Sequence, residues 1–349
     1  MTRKVAIVGL GIGAMHLKAW RELSEHFQVT TVVDLNAERI AQAQEGGAVE
    51  ALDFEAMLKR PEIDVVDICT PPALHAPMIE AALKAGKHVV CEKPLLSSLA
   101  ECDRIAQIAK HSGRVLMPVF QYRFGNGFRR LRALMEGGLA GKLFLASIET
   151  AWARDSVYYS VPWRGAKATE WGGCLITHAI HAHDALDWLV GPITTVNAAA
   201  TTRVNPIETE DCAVATVTLA SGALASLSVT LGAAEELSRL RFHFEGFTAE
   251  SNLEPYKFGF DGWRFTARAR EKQAEIDRVA GSVTPGKQGF AGQFLAFAEA
   301  LDKGSPPPVT LDDARRSIEL LTALYRSART RETVELPIPA TAPDYRGWL

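Results

Sequence analysis

One stretch near the N-terminus leaves few folds open to this chain. Lys4-Val5-Ala6-Ile7-Val8 is a short, β-branched apolar run, the pattern of a parallel strand buried on both faces. Gly9-Leu10-Gly11-Ile12-Gly13-Ala14 follows at once, and Met15, Leu17, Ala19 and Trp20 then open a helical pattern. This is G-x-G-x-x-A between a strand and a helix, the context that makes it meaningful. Gly9 permits a tight turn, Gly11 lets backbone approach a pyrophosphate, and Ala14 lets helix and strand pack closely. The phosphates are expected on N–H groups at the helix start, around Ile12, Gly13 and Met15. A second strand, Val29 to Asp34, ends in an acid 20 residues after Ala14. That spacing suits a carboxylate accepting the adenosine ribose hydroxyls. Its charge repels a 2′-phosphate, so NAD is expected ahead of NADP. Arg39, one turn into the next helix, could reach such a phosphate and keeps NADP open. The competing reading is that Asp34 caps that helix, a task Asn36 can also perform.

The same alternation continues. Val65 to Cys69 is a second buried-strand run, stopped by Thr70-Pro71-Pro72, since proline has no N–H for a ladder. His75 to Ala85 has helical spacing with Gly86 as its stop, and His88-Val89-Val90-Cys91 is another strand. Lys93, between Glu92 and Pro94, is thereby placed beyond the carboxyl end of a parallel strand, where open α/β sheets bind ligands. Thr70, Pro71, Pro72 and His75 read as a wall of the cofactor cleft. Ser98 with Glu101 is a capping box for the next helix, and Val115 to Val119 is a further strand. Residues 1–122 are therefore expected to form a doubly wound parallel sheet.

Beyond that point strands follow one another without helices between them: Leu143 to Trp152, Thr194 to Thr202, Cys212 to Leu219, Ala223 to Leu231 and Arg239 to Glu245. Residues 123–349 are expected to form an α+β domain on a large, open, mostly antiparallel sheet. Covering such a sheet predicts a homo-oligomer. Asp261 to Gln288 reads as polar and irregular. Phe290, Phe294, Phe297 and Leu301 form one helix stripe. Gly172-Gly173 precede a helix to about Leu189, on which Thr177, His181 and Asp184 fall at i, i+4 and i+7, on one face. His178 sits at that face's edge. The spacing H-x-x-H-x-H-D matches no helical metal pair, so no metal is expected. A histidine on that face suits a general base near neutral pH.

A net charge of −3 gives no case for nucleic acid or an anionic membrane as partner. No apolar run reaches the ~20 residues a membrane helix needs. The five cysteines show no CxxC spacing, and Met1-Thr2-Arg3-Lys4 leads straight into a strand, so a cytoplasmic protein is expected.

Four motifs together resemble the Gfo/Idh/MocA family, the glucose–fructose oxidoreductase and inositol dehydrogenase group. They are GLGIGA with Asp34, CTPPALH, AGKHVVCEKP, and Gly172-Gly173 followed by His181 and Asp184. The closing ARRSIELLTALYRSARTRETVELP is also similar. The resemblance implies a Rossmann domain, a second domain on a large open sheet used for homodimer or homotetramer contacts, and NAD(P)-dependent oxidation of a secondary hydroxyl on a sugar, polyol or related cyclic carbohydrate. It implies that Lys93 hydrogen-bonds the reacting oxygen and that His181 is the catalytic histidine. Glu92, Lys93 and Gln121 then join Gly9, Gly11, Ala14, Asp34 and Arg39 around the cofactor. A lysine buried near the cationic nicotinamide is expected to have a depressed pKa. Arg123, Arg154, Tyr158, Trp163, Arg164, Thr177, His178 and Asp184 are the expected substrate contacts; core packing is the competing role for Tyr158 and Trp163. Many relatives carry aspartate where this chain has Thr177, an uncharged group that cannot stabilise an imidazolium. Two alternatives stay open: an NAD-dependent redox glycosidase or lyase, and a non-catalytic dinucleotide regulator.

Overall fold

The computed structural model describes residues 2–47 and 49–348. The chain divides into two compact units, Met1–Gln121 with Phe290–Arg315, and Tyr122–Gly289 with Arg316–Leu349.

The first unit is built on six strands: β1 (Arg3–Val8), β2 (Phe27–Val33), β3 (Glu50–Ala51), β4 (Val65–Ile68), β5 (His88–Cys91) and β6 (Leu116–Pro118). They pair in parallel in the order β3-β2-β1-β4-β5-β6. Val5, Ala6, Ile7, Val65, Val66 and Ile68 are fully buried, because helices cover both faces and leave no polar side to alternate with. The strand order reverses at β1, which pairs with both β2 and β4. A crevice opens outside the carboxyl ends of such a pair. The Gly9 turn follows β1 and Thr70-Pro71-Pro72 follows β4, so both lie at this switch point.

The return of Phe290–Arg315 to the first unit was not anticipated by the boundary near residue 122. The aromatic stripe explains it. On the helix Gly289–Lys303, Phe294 stacks on Trp20 with centroids 3.8 Å apart, and Phe297 stacks near Phe27. Gln293 finishes the edge of β6: its side chain accepts from Phe120 N at 3.1 Å and donates to Pro118 O at 2.7 Å. Helical periodicity marks a buried face but not the core that buries it.

The second unit carries β7 (Leu143–Ala153), β8 (Ile193–Thr201), β9 (Cys212–Leu219), β10 (Leu224–Thr230), β11 (Gly232–Phe244), β12 (Phe247–Glu250), β13 (Arg264–Ala267) and β14 (Val334–Glu335). Their order is β13-β12-β11-β7-β10-β9-β8-β14, antiparallel throughout except for the β7–β10 pair. The β9–β10 hairpin turns at Ala220-Ser221-Gly222, with Gly222 at φ +84°. One expectation is corrected: within Asp261 to Gln288 lie β13 and the helix Gln273–Ser282. Ile276 and Ala280 are its only buried side chains, so the apolar stripe was too narrow to stand out.

Candidate active site

The glycine turn shows why each small residue is where it is. Gly9 has φ +90°, and a Cβ on it would lie 2.8 Å from Cys69 O. Gly9→Ala is therefore expected to lower unfolding stability by about 1–3 kcal/mol and to weaken dinucleotide binding, read by urea unfolding and NADH fluorescence titration. Gly11 is open: a Cβ there would meet only Arg39 Nη1, at 3.8 Å. The close-packing role expected of Ala14 belongs instead to Gly13. Gly13 is buried with Ile7 Cγ2 3.0 Å from its would-be Cβ, whereas Ala14 is exposed. The helix starts at Gly13, one residue before the motif's last position, which rotates Ala14 outward. Ile12 and Met15 are exposed beside it.

Asp34, at the end of β2, faces this turn. Its Oδ2 accepts from Leu10 N at 2.5 Å and its Oδ1 from Asn36 N at 2.7 Å. The helix Ala37–Gln44 is capped by Asn36, whose side chain accepts from Glu38 N and Arg39 N, so Asp34 is not spent on the cap. Arg39 Nη1 lies 4.0 Å from Asp34 Oδ2. A cleft of about 460 Å³ opens beside Leu10, Ala14, Lys18 and Arg39. Gln121 Oε1 is buried with no hydrogen-bond partner among the described residues. A glycine that no Cβ could replace, an open Gly11, a carboxylate at the strand end and an orphaned buried acceptor together fit a dinucleotide.

At the end of β4, Pro71 and Pro72 open a one-turn helix, Pro72–Leu74. His75 was expected to touch the cofactor, and the structure corrects this. It is fully buried, with Nδ1 2.9 Å from Pro94 O and Nε2 2.9 Å from Thr70 O. Burial lowers its pKa. It ties the Thr70 turn to the segment after Lys93 and presents nothing to a ligand. Glu92 is buried as well, and its Oε2 accepts the Lys93 N–H at 3.0 Å. Lys93 itself is half-buried, and the Lys93–Pro94 peptide is cis.

In the second unit the continuous helix expected through Thr177 and His181 is broken. One turn runs Cys174–Thr177, and a separate helix runs Ile180–Val190. The ladder widens where Ala179 N donates to Cys174 O, and the Thr177 hydroxyl donates back to Gly173 O at 2.7 Å. Thr177 therefore does not share a helix face with His181. Arg154 Nε donates to His178 Nε2 at 3.0 Å, which leaves the proton on Nδ1 to donate to Thr177 Oγ1 at 2.6 Å. Thr177 and His178 are thus hydrogen-bonded to each other, and His178 to Arg154. The expected substrate contacts Arg123 and Asp184 are likewise corrected. Both are buried, and Arg123 donates from Nε and Nη2 to both Asp184 oxygens, at 2.7 and 2.5 Å. Leaving either charge buried alone would be costly, so they hold each other.

His181 is buried against the edge of Tyr122, with centroids 4.6 Å apart. His183, on the same helix, is fully buried, which pushes its pKa down to about 4 and keeps it neutral. Arg154, Tyr158, Trp163 and Arg164 remain together. The Arg154 guanidinium lies over the rings of Trp152 and Tyr158, and it donates to Glu236 and to the Tyr256 hydroxyl. Arg164 lies over Trp163 and Tyr158 and donates to the Tyr158 hydroxyl. Burial pushes that phenol up to about 12, so it keeps its own proton to donate. Trp152, Glu236 and Tyr256 were not found by sequence reasoning, because no motif links them to Arg154.

Glu210 and Tyr325 were missed for the same reason. The Glu210 carboxylate accepts from Gly173 N, Leu175 N and the Tyr325 hydroxyl, and burial raises its pKa. A Cβ on Gly173 would lie 1.8 Å from Glu210 O, and one on Gly172 2.0 Å from the Tyr325 hydroxyl. The double glycine is thus the space in which the helix carrying His181 is anchored.

A parallel sheet with a glycine turn and an acidic strand end at its switch point is the architecture of a dinucleotide-binding protein. The chain belongs to the GFO/IDH/MocA oxidoreductase family. Residues 3–120 match its NAD-binding Rossmann fold and residues 128–250 its C-terminal domain. The uncharacterized oxidoreductase YrbE of Bacillus subtilis is 28% identical over 340 residues, covering 94% of this chain and 95% of that protein. Myo-inositol 2-dehydrogenase of Thermotoga maritima is 24% identical over 350 residues, covering 95% and 98%. The WlbA dehydrogenase of Bordetella pertussis, solved with NADH and UDP-GlcNAcA, superposes with a TM-score of 0.85 at 26% identity, covering 97% of this chain and 98% of that one. Among the described residues no helix is long and apolar enough to cross a membrane.

Proposed function

We propose that this protein is an NAD-dependent dehydrogenase that oxidises a secondary hydroxyl of a sugar, polyol or related cyclic carbohydrate. The observation that carries the reading is Lys93, an amine at the carboxyl end of β5 in a sheet whose switch point suits a dinucleotide. Bound NAD supplies the hydride acceptor. The chain supplies the rest. Gly9, Gly11, Gly13 and Asp34 hold and orient the dinucleotide. His181 takes the proton of the reacting hydroxyl, and Lys93 donates a hydrogen bond to the same oxygen as negative charge builds on it. Arg154 and Arg164 offer donors to neighbouring hydroxyls, and Tyr158 and Trp163 offer ring faces to the apolar side of a sugar. The substrate class draws support from the inositol and nucleotide-sugar names of the relatives. We further propose a cytoplasmic homo-oligomer in which residues 1–122 chiefly bind the dinucleotide. Residues 123–349 chiefly bind substrate and a second copy.

The choice of NAD over NADP rests on Asp34, fixed against the turn by Leu10 N. The kcat/KM ratio is expected to favour NAD by about tenfold or more, about 1.4 kcal/mol. Asp34→Ala should shrink that ratio about tenfold. Strong preference of the unaltered protein for NADP would refute the role given to Asp34. Screening sugars, inositols and anhydrosugars for NADH production tests the wider reading, and silence across the panel would count against it.

A further inference from the structure

Beneath Lys93 lies a buried polar cluster that the proposed reaction does not use. His16, in the helix that follows the glycine turn, is fully buried. Its Nδ1 lies 2.9 and 3.1 Å from the Asp67 oxygens, and its Nε2 lies 3.1 Å from Glu92 Oε1. Trp20, one turn further along, donates from Nε1 to Asp67 Oδ2 at 2.7 Å. Cys69 Sγ lies 3.3 Å from His16 Nδ1. Phe290 and Phe294 cover the imidazole, with centroids 4.3 and 5.3 Å away. The other Glu92 oxygen accepts the backbone N–H of Lys93. One carboxylate therefore bridges a sealed histidine to the residue proposed to meet the substrate oxygen.

A cation site is the competing use of His16, Asp67 and Cys69. The geometry disfavours it. The His16–Asp67 separations are hydrogen-bond lengths, and Trp20 already donates into the same carboxylate. Burial pushes the His16 imidazole down, but with the Asp67 carboxylate and Cys69 beside it the ring is held well above its ordinary value. Burial pushes the Cys69 thiol up, so it stays protonated. Both ring nitrogens of His16 thus face carboxylate oxygens, a setting that favours the protonated imidazole. Such a buried ionic cluster is weak ground for stability, since well-packed apolar residues of equal volume often do as well or better. What it provides is fixed direction. It ties together the helix of the glycine turn, the end of β4 and the end of β5.

We propose that His16, backed by Asp67, is a positioning residue that sets the direction of Lys93 by holding Glu92; the proposal rests on the role given to Lys93 above. Lys93 is addressed without any substrate by trace acetylation of the whole protein with acetic anhydride, read lysine by lysine by mass spectrometry. In Glu92→Gln and His16→Gln, the Lys93 rate relative to the exposed Lys59 and Lys110 is expected to change threefold or more. Glu92→Gln is isosteric and decides the matter if His16→Gln does not fold. A folded Glu92→Gln protein whose relative Lys93 rate is unaltered overturns the proposal. On any polyol that the unaltered protein turns over, kcat should fall tenfold or more in these variants, in His16→Gln with the KM for NAD within twofold. If no polyol is turned over, the dehydrogenase reading fails while the labelling result still stands.

Discussion

Replacing Lys93 with methionine is expected to lower kcat by about 10²–10⁴-fold, the range for losing one positioned proton-handling group, while NADH affinity changes less than about threefold. The two effects separate because different parts of the first unit carry them. The residues proposed to hold the dinucleotide are the turn at Gly9 to Gly13 and Asp34, whose carboxylate is fixed to Leu10 N and Asn36 N. Lys93 lies at the end of β5, with its backbone N–H on Glu92. Methionine keeps most of the side-chain volume and removes the donor, so the loss should appear in the reacting state. Each tenfold step corresponds to about 1.4 kcal/mol of lost transition-state stabilisation. Stopped-flow turnover paired with NADH fluorescence titration checks both halves. Lys93→Met turning over at an undiminished rate would refute the role given to Lys93.

The second large effect is expected at His181. His181→Asn should lower kcat/KM by about 10²–10³-fold and remove the acid limb of its pH profile. An imidazole that must accept a proton is inactive once protonated, so the unaltered protein loses activity as pH falls. Asparagine cannot titrate, and its residual rate should be flat through the same range. His183, already neutral and fully buried on the same helix, is the internal comparison. His183→Asn should leave the acid limb in place. A limb that persists in His181→Asn would move the base to another group.

How much of this could be read from the residues depended on how local the cause was. The Gly9 turn, Asp34 and the Glu92-Lys93 strand end follow from patterns a few residues long, each tied to strands that terminate where the apolar runs stop. The parallel, doubly wound sheet follows from the same alternation, whereas its order and the two-residue β3 do not. The failures share a different cause. Phe294 stacks on Trp20 across most of the chain's length, and a stripe of phenylalanines cannot name its partner. Arg123 and Asp184 are 61 residues apart, so each looked like an available polar group until the fold paired them. The break between Thr177 and Ile180 arises where a threonine hydroxyl and a widened turn compete with the helix ladder, which helical periodicity does not register. His16 sits at a helical position that reads as core, and only the ends of β4 and β5 turn it into part of a network.

The central claim is that oxidation is the net reaction. The direct test is the stoichiometry of NADH to product, measured over many turnovers on the best substrate of a sugar, inositol and anhydrosugar panel. The account predicts one NADH for each oxidised product, formed about 10²–10⁴-fold more slowly by Lys93→Met. Product accumulating over many turnovers without NADH would contradict it, since oxidation would then be a passing step and the protein a redox glycosidase or lyase.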